Sequence, residues 1–340
     1  MLALLRSCAS GKPVAKQMQE VLALPGTHLI IQQQNISRLI TVEQYRKALE
    51  SACLGSKIHV APADAGLRAQ KGAAGLENDV IPSLIWGKEH ISLLEGRLER
   101  LRRNRSIGEA IPLAQEYLPQ PVDLSPRYYF VMGGRAGAAA FDNEMYMDIL
   151  CLSWRSFRDK TAWNDTDVVE FFAHETHHIG YGRILEKKKL SLSFTPGETQ
   201  TWNLLTAIVM EGSATLLING HEKLSDLEKQ SHIQPDLDHV LELLPAMQNA
   251  FNRSLGGELS AEDYAKAVAI FFERGEGYHA AGAVLLNAIE QKRGLPAVMD
   301  VLADPRKLLL VYNECMTSST VRFEFDPDLA RRMARMGERH

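Results

Sequence analysis

The stretch Phe171-Phe172-Ala173-His174-Glu175-Thr176-His177-His178-Ile179 decides how this chain is read. It places two histidines four positions apart, with a glutamate directly after the first. At 3.6 residues per turn and 1.5 Å per residue, His174 and His178 leave the same face of a helix, about 6 Å apart along its axis. Two imidazole nitrogens so placed can meet one zinc ion at about 2.0–2.1 Å each. Glu175 is rotated by about 100° from His174, beside the metal rather than on it. There it can take a proton from a metal-bound water.

The flanks agree with a helix. Asn164-Asp165-Thr166-Asp167 offers N-cap residues, and Asp167 and Glu170 suit a first turn. Phe171, Phe172 and Ile179 supply apolar contacts, and Gly180 and Gly182 read as the helix end. That makes a short helix with its histidines in the C-terminal half. His177 points about 100° away from His178 and reads as a solvent-facing or supporting histidine.

A catalytic zinc site needs a third protein ligand and an open position. The pattern with a third histidine six residues after the second is absent, because Tyr181 and Ile184 occupy its glycine and histidine positions. The other solution is a carboxylate on a later helix. The run from Leu204 to Ile218 is almost wholly apolar, and Glu211 is its one charge. A lone carboxylate in a buried helix costs several kcal/mol unless something pairs with it. A divalent metal is such a partner; a buried arginine or an exposed position would be the alternatives. Gly212-Ser213-Ala214 is small enough to let another helix approach. The segment between His178 and Glu211 holds Pro196-Gly197-Glu198 as a turn before a return helix. Calcium fits this nitrogen-containing set poorly, and zinc is the expected ion.

Outward from the site, the spacing predicts helices in Val14–Leu24, Val42–Leu54 and Ile91–Leu101, and again from about 165 to 315. Between them, Arg127–Met132 and Met145–Leu152 are short apolar runs around Gly133-Gly134, and predict a small antiparallel sheet. The fold class expected is α+β, predominantly α-helical. A helical N-terminal region over residues 1–120 would precede a catalytic region over 121–340, or the two would form one continuous domain. The strand segment would offer an edge to an extended peptide, with Gly137-Ala138-Ala139-Ala140 allowing close approach.

Composition sets the background. The chain has 340 residues, 45% hydrophobic and 24% charged, enough to bury a core without staples. A net charge of −4 argues against a dedicated nucleic-acid binder. The arginines of Arg97–Arg105 and Arg331–Arg335 read as solvated helix faces, the latter as a frayed end. Cys8, Cys53, Cys151 and Cys315 are too scattered for a metal or disulfide framework and fit a reducing compartment. The apolar start Met1–Leu5 is shorter than a signal-peptide core of about 7–15 residues, and no run of 18 apolar residues predicts a membrane span. A cytoplasmic protein is therefore expected.

His174, Glu175, His178 and Glu211 together resemble the gluzincin metallopeptidases. More closely, the chain is similar to a family of zinc-dependent peptidases with largely unstudied substrates. Gly275-Glu276-Gly277-Tyr278-His279-Ala280-Ala281-Gly282 looks like that family's tyrosine-bearing helix start. The resemblance implies a zincin-like fold with the small sheet before the histidine helix. It also implies zinc held by His174, His178 and Glu211, Glu175 as general base, and hydrolysis of a peptide or small-protein amide. Tyr278 and His279 are the candidate donors to the oxyanion. The sequence departs from many gluzincins at the position four residues after the glutamate ligand. That position is acidic in them and orients the first histidine; here it is Thr215, so Glu198, Asp148 or a backbone carbonyl would have to do that work. The exopeptidase motif G-x-M-E-N is absent. His221, His232 and His239 read as surface residues. The competing readings are a non-peptide amidohydrolase and a metal-dependent peptide-binding module without turnover.

Overall fold

The computed structural model describes residues 5–6, 93, 106–131, 138–141, 144–148, 165–221, 237–257, 259–260, 262–264, 277–318 and 322–338. Over these residues the chain is predominantly helical. The helices expected at Val14–Leu24 and Val42–Leu54, the Arg97–Arg105 run and Gly133-Gly134 lie outside them. Of Ile91–Leu101 only Leu93 is described, and it is helical. The chain forms two compact units, Met1–Ala110 with Ser125–Glu175, and Ile111–Leu124 with Thr176–His340.

In the first unit the two-residue strand β1 (Leu5–Arg6) pairs antiparallel with β2 (Arg127–Val131). Helix α1 (Ser106–Glu116) lies between them in sequence. The remaining strands are β3 (Ala138–Phe141) and β4 (Glu144–Asp148), and the order across the sheet is β1-β2-β4-β3. The pairing is mixed where antiparallel pairing was expected. Strand β3 takes the outer edge and β4 turns back between it and β2, so β2 and β4 run parallel, with Arg127 opposite Glu144 and Val131 opposite Asp148. The Ala138–Ala140 segment is thus part of an edge strand.

Helix α2 (Asp165–Leu190) carries the two histidines of the motif. A five-residue connection leads to α3 (Pro196–Ser213), which opens with a capping box: Thr195 accepts from the Glu198 amide, and Glu198 accepts from the Thr195 amide. Pro196 sits where its missing N–H costs nothing. The helix continues as a π-helical segment, Ala214–Asn219. The span Pro196–Asn219 is long and apolar enough to cross a membrane, and 67% of its most apolar window is buried inside the structure, as in a core helix. Helices α4 (Leu237–Leu255), α5 (Gly277–Arg293), α6 (Leu295–Ala303), α7 (Leu308–Cys315) and α8 (Pro327–Ala334) complete the second unit.

Its core is built around α3 and α5, which pack together more extensively than any other pair of described elements. The contact is backbone on backbone at Gly212 and Gly282. A Cβ on Gly282 would lie 2.1 Å from the Ile208 carbonyl oxygen and 2.7 Å from Gly212 Cα. Leu205, Ile208, Val209, Leu285, Leu286 and Ile289 are fully buried around that crossing. Burial of such side chains contributes about 1.5–3 kcal/mol each. The C-terminal helix is docked rather than frayed, because Leu329, Ala330 and Met333 are buried while Arg331 and Arg332 face solvent as expected. Arg306 fastens this end: its guanidinium grips the Asp304 carboxylate through two 2.8 Å hydrogen bonds and donates to the Met336 carbonyl.

Candidate metal centre

Helix α2 does not stop at Gly180 or Gly182, and its histidines stand near its middle. An interior glycine costs a helix about 1 kcal/mol, which packing readily offsets. Gly180 takes part in such packing, since a Cβ there would lie 2.6 Å from Leu118 Cδ1 and 3.3 Å from Leu124 Cδ2. His177 is fully buried, not solvent-facing: its Nε2 lies 3.3 Å from the Tyr117 carbonyl oxygen and its ring stacks beside Tyr181. The Tyr181 hydroxyl donates to the Leu302 carbonyl at 3.0 Å. These contacts fix how the face carrying His174 and His178 is turned.

From His178 the chain climbs roughly 18 Å to Leu190 and returns roughly 22 Å along α3 to Glu211. The two helices therefore double back on each other, and Glu211 Oε2 comes to 3.0 Å from His178 Nε2. Side chains of His178 and Glu211 are 9% and 23% exposed, so the pair is largely withdrawn from water with one side open. Donor atoms of His174, His178 and Glu211 all lie within 4.8 Å of one another, a group that could hold a metal ion. The set fits zinc. Four tetrahedral ligands at about 2.0–2.1 Å stand about 3.3 Å apart, close to the 3.0 Å between His178 and Glu211. Two imidazoles and one carboxylate also leave a coordination position open. Glu175 follows His174 on the same helix and is partly exposed.

A residue of α5 also reaches Glu211. His279 Nε2 lies 3.3 Å from the same Glu211 oxygen, and His279 Nδ1 lies 3.0 Å from the Thr215 hydroxyl. A carboxylate only accepts, so in the neutral ring Nε2 carries the proton and Nδ1 accepts from Thr215. The Gly212–Gly282 crossing makes this possible: Glu211 precedes one glycine, and His279 lies one turn before the other. Tyr278 beside it is buried. Burial pushes its hydroxyl well above the usual phenol range, and the nearby Tyr264 and the Glu211 charge push it further. It remains a protonated donor at any ordinary pH.

Of the groups offered for orienting the site, Glu198 is committed elsewhere. It caps α3 and accepts from the Gly337 amide, and it lies roughly 20 Å along the helix from Glu211. The Asp148 side chain lies outside what is described. Thr215, which the sequence marks only as a departure, occupies the layer next to Glu211; its i+4 spacing from that residue was the available signal. His221 is buried rather than exposed, His232 lies outside the described residues, and of His239 only the helical backbone is described. Comparison with curated proteins and with solved structures finds no match. A family model does match, across residues 18–320, and the chain belongs to that family, described as "Putative zinc dependent peptidase (DUF5700)".

Proposed function

We propose that this chain is a zinc metallopeptidase of gluzincin type that hydrolyses peptide bonds with water and forms no covalent intermediate. The observation that carries this reading is the convergence of His174, His178 and Glu211 donors within 4.8 Å, with Glu175 adjoining them on the histidine helix. Zinc, when held there, supplies Lewis acidity toward water and toward the scissile carbonyl. Glu175 takes a proton from the attacking water and returns it to the departing amine. Tyr278, held protonated by burial, is the donor for negative charge developing on the carbonyl oxygen, while the one Nε2–H of the neutral His279 ring is given to Glu211. The zincin-like arrangement, with the small sheet ahead of the histidine helix, belongs to the same reading. So do a peptide or small-protein substrate and a cytoplasmic location.

Glu175→Gln tests it, because the amide keeps the shape and loses the base. Purified wild type and variant should hold equal zinc, and the variant's kcat on a peptide library should fall by about 10²–10⁴-fold. If wild type cleaves small amides and no peptide, the site is that of a non-peptide amidohydrolase. If both proteins are equally inert, the chain is a binding module.

A further inference from the structure

Glu211 is a carboxylate on a helix whose neighbouring positions are nearly all apolar, and such a side chain has several rotamers open to it. Its placement against His178 is therefore not set by α3 alone. Among the described residues, His279 approaches it from α5 at 3.3 Å, and behind His279 stands Thr215 at 3.0 Å. Thr215 lies in the π-helical segment that follows α3. In a regular α-helix a threonine hydroxyl commonly returns to the carbonyl of residue i−4. Here, in the wider turn, it reaches across to α5 instead, and short π-helical turns recur at functional sites for this kind of local re-aiming.

We infer that Thr215 and His279 are positioning residues that hold Glu211 in its ligating orientation, so that the third zinc ligand is fixed by a threonine–histidine pair rather than by α3 itself. The inference rests on the proposed metal reading and deepens it. Thr215 donates to Nδ1, which leaves the ring proton on Nε2. That N–H holds one Glu211 oxygen toward His178. Partners of this type raise metal affinity because the ligand loses less rotational freedom on binding. A valine at position 215 keeps the shape and removes the donor. A serine keeps the donor.

The test is a competition titration of the full chain against a chromophoric zinc chelator, for wild type, Thr215→Val, Thr215→Ser, His279→Ala and the Val/Ala double variant. Wild type should bind one zinc. Thr215→Val and His279→Ala should each weaken binding by about 10–100-fold, and Thr215→Ser should stay near wild type. The double variant should be little weaker than either single one, since both remove one device. In the metal-free protein, side-chain nitrogen NMR should find His279 as the Nε2–H tautomer in wild type and as a mixture in Thr215→Val. Zinc affinity of Thr215→Val within about twofold of wild type, or the same tautomer in both, overturns the inference. Wild type that takes up no zinc overturns the metal reading beneath it, and that outcome is distinct from either of the others.

Discussion

Gly282→Ala puts the helix crossing that carries the site to a quantitative test. The added Cβ would lie 2.1 Å from the Ile208 oxygen, 2.7 Å from Gly212 Cα and 3.0 Å from Gly212 N. Ordinary contact of carbon with such atoms begins near 3.3–3.6 Å, so α3 and α5 must part by about 1 Å or more. All three obstacles are backbone atoms of a buried helix and cannot swing aside. Overpacking of this kind costs about 1–3 kcal/mol or more, and the better helix propensity of alanine returns about 1 kcal/mol. Because the obstacles are backbone, the upper end of about 3 kcal/mol applies, and we expect a net loss of about 2 kcal/mol, seen as a Tm lower by about 4–8 °C for a unit of this size. Gly182→Ala is the control. Its Cβ would meet nothing within 4 Å, so propensity alone should act and stabilise by about 0.5–1 kcal/mol. The assay is thermal and urea unfolding followed by circular dichroism, with a chelator present so that metal binding does not enter. Gly282→Ala should also weaken zinc binding, because it moves His279 away from Glu211. A Gly282→Ala protein as stable as wild type, or more so, would refute the backbone-on-backbone crossing and the placement of His279 built on it.

Glu211→Ala should weaken zinc binding by more than the 10–100-fold expected for the supporting residues, measured by the same chelator competition; an unchanged affinity rejects Glu211 as a ligand. Chelating the metal should abolish peptide hydrolysis and lower the Tm, by an amount equivalent to about 2.7 kcal/mol if the comparison sample holds free zinc at 100 times its Kd. Asp304 tests the C-terminal fastening. Burial raises its pKa, but hydrogen bonds from Arg306 and Lys188 outweigh burial and hold it below the usual carboxylate value. A folded value below the unfolded one, about 3.9, means the stabilisation is present above that pH and lost as pH falls through the folded value. Asp304→Asn should therefore cost about 2 kcal/mol at pH 7, and the gap from wild type in urea unfolding should begin to narrow below about pH 4 and close as pH falls through the lower folded value.

The sequence by itself determined the helical character of the second unit, the shared face of His174 and His178, and the candidacy of Glu211. Each of these rests on local periodicity or on one charge in an apolar run, and the chain's own geometry enforces both whatever surrounds them. It also marked position 215 as unusual without saying what the threonine does. Only the tertiary structure decided the rest. His177 is turned inward because Tyr117 and Tyr181 cover that face, and α2 continues through two glycines because Leu118 and Leu124 fill the groove at one of them. His279 reaches Glu211 because two glycines far apart in the chain let α3 and α5 touch backbone to backbone. Spacing along a helix tells which residues share a face; it carries no information about which remote element will cover that face, or how closely, because that is set by the shapes of both surfaces together.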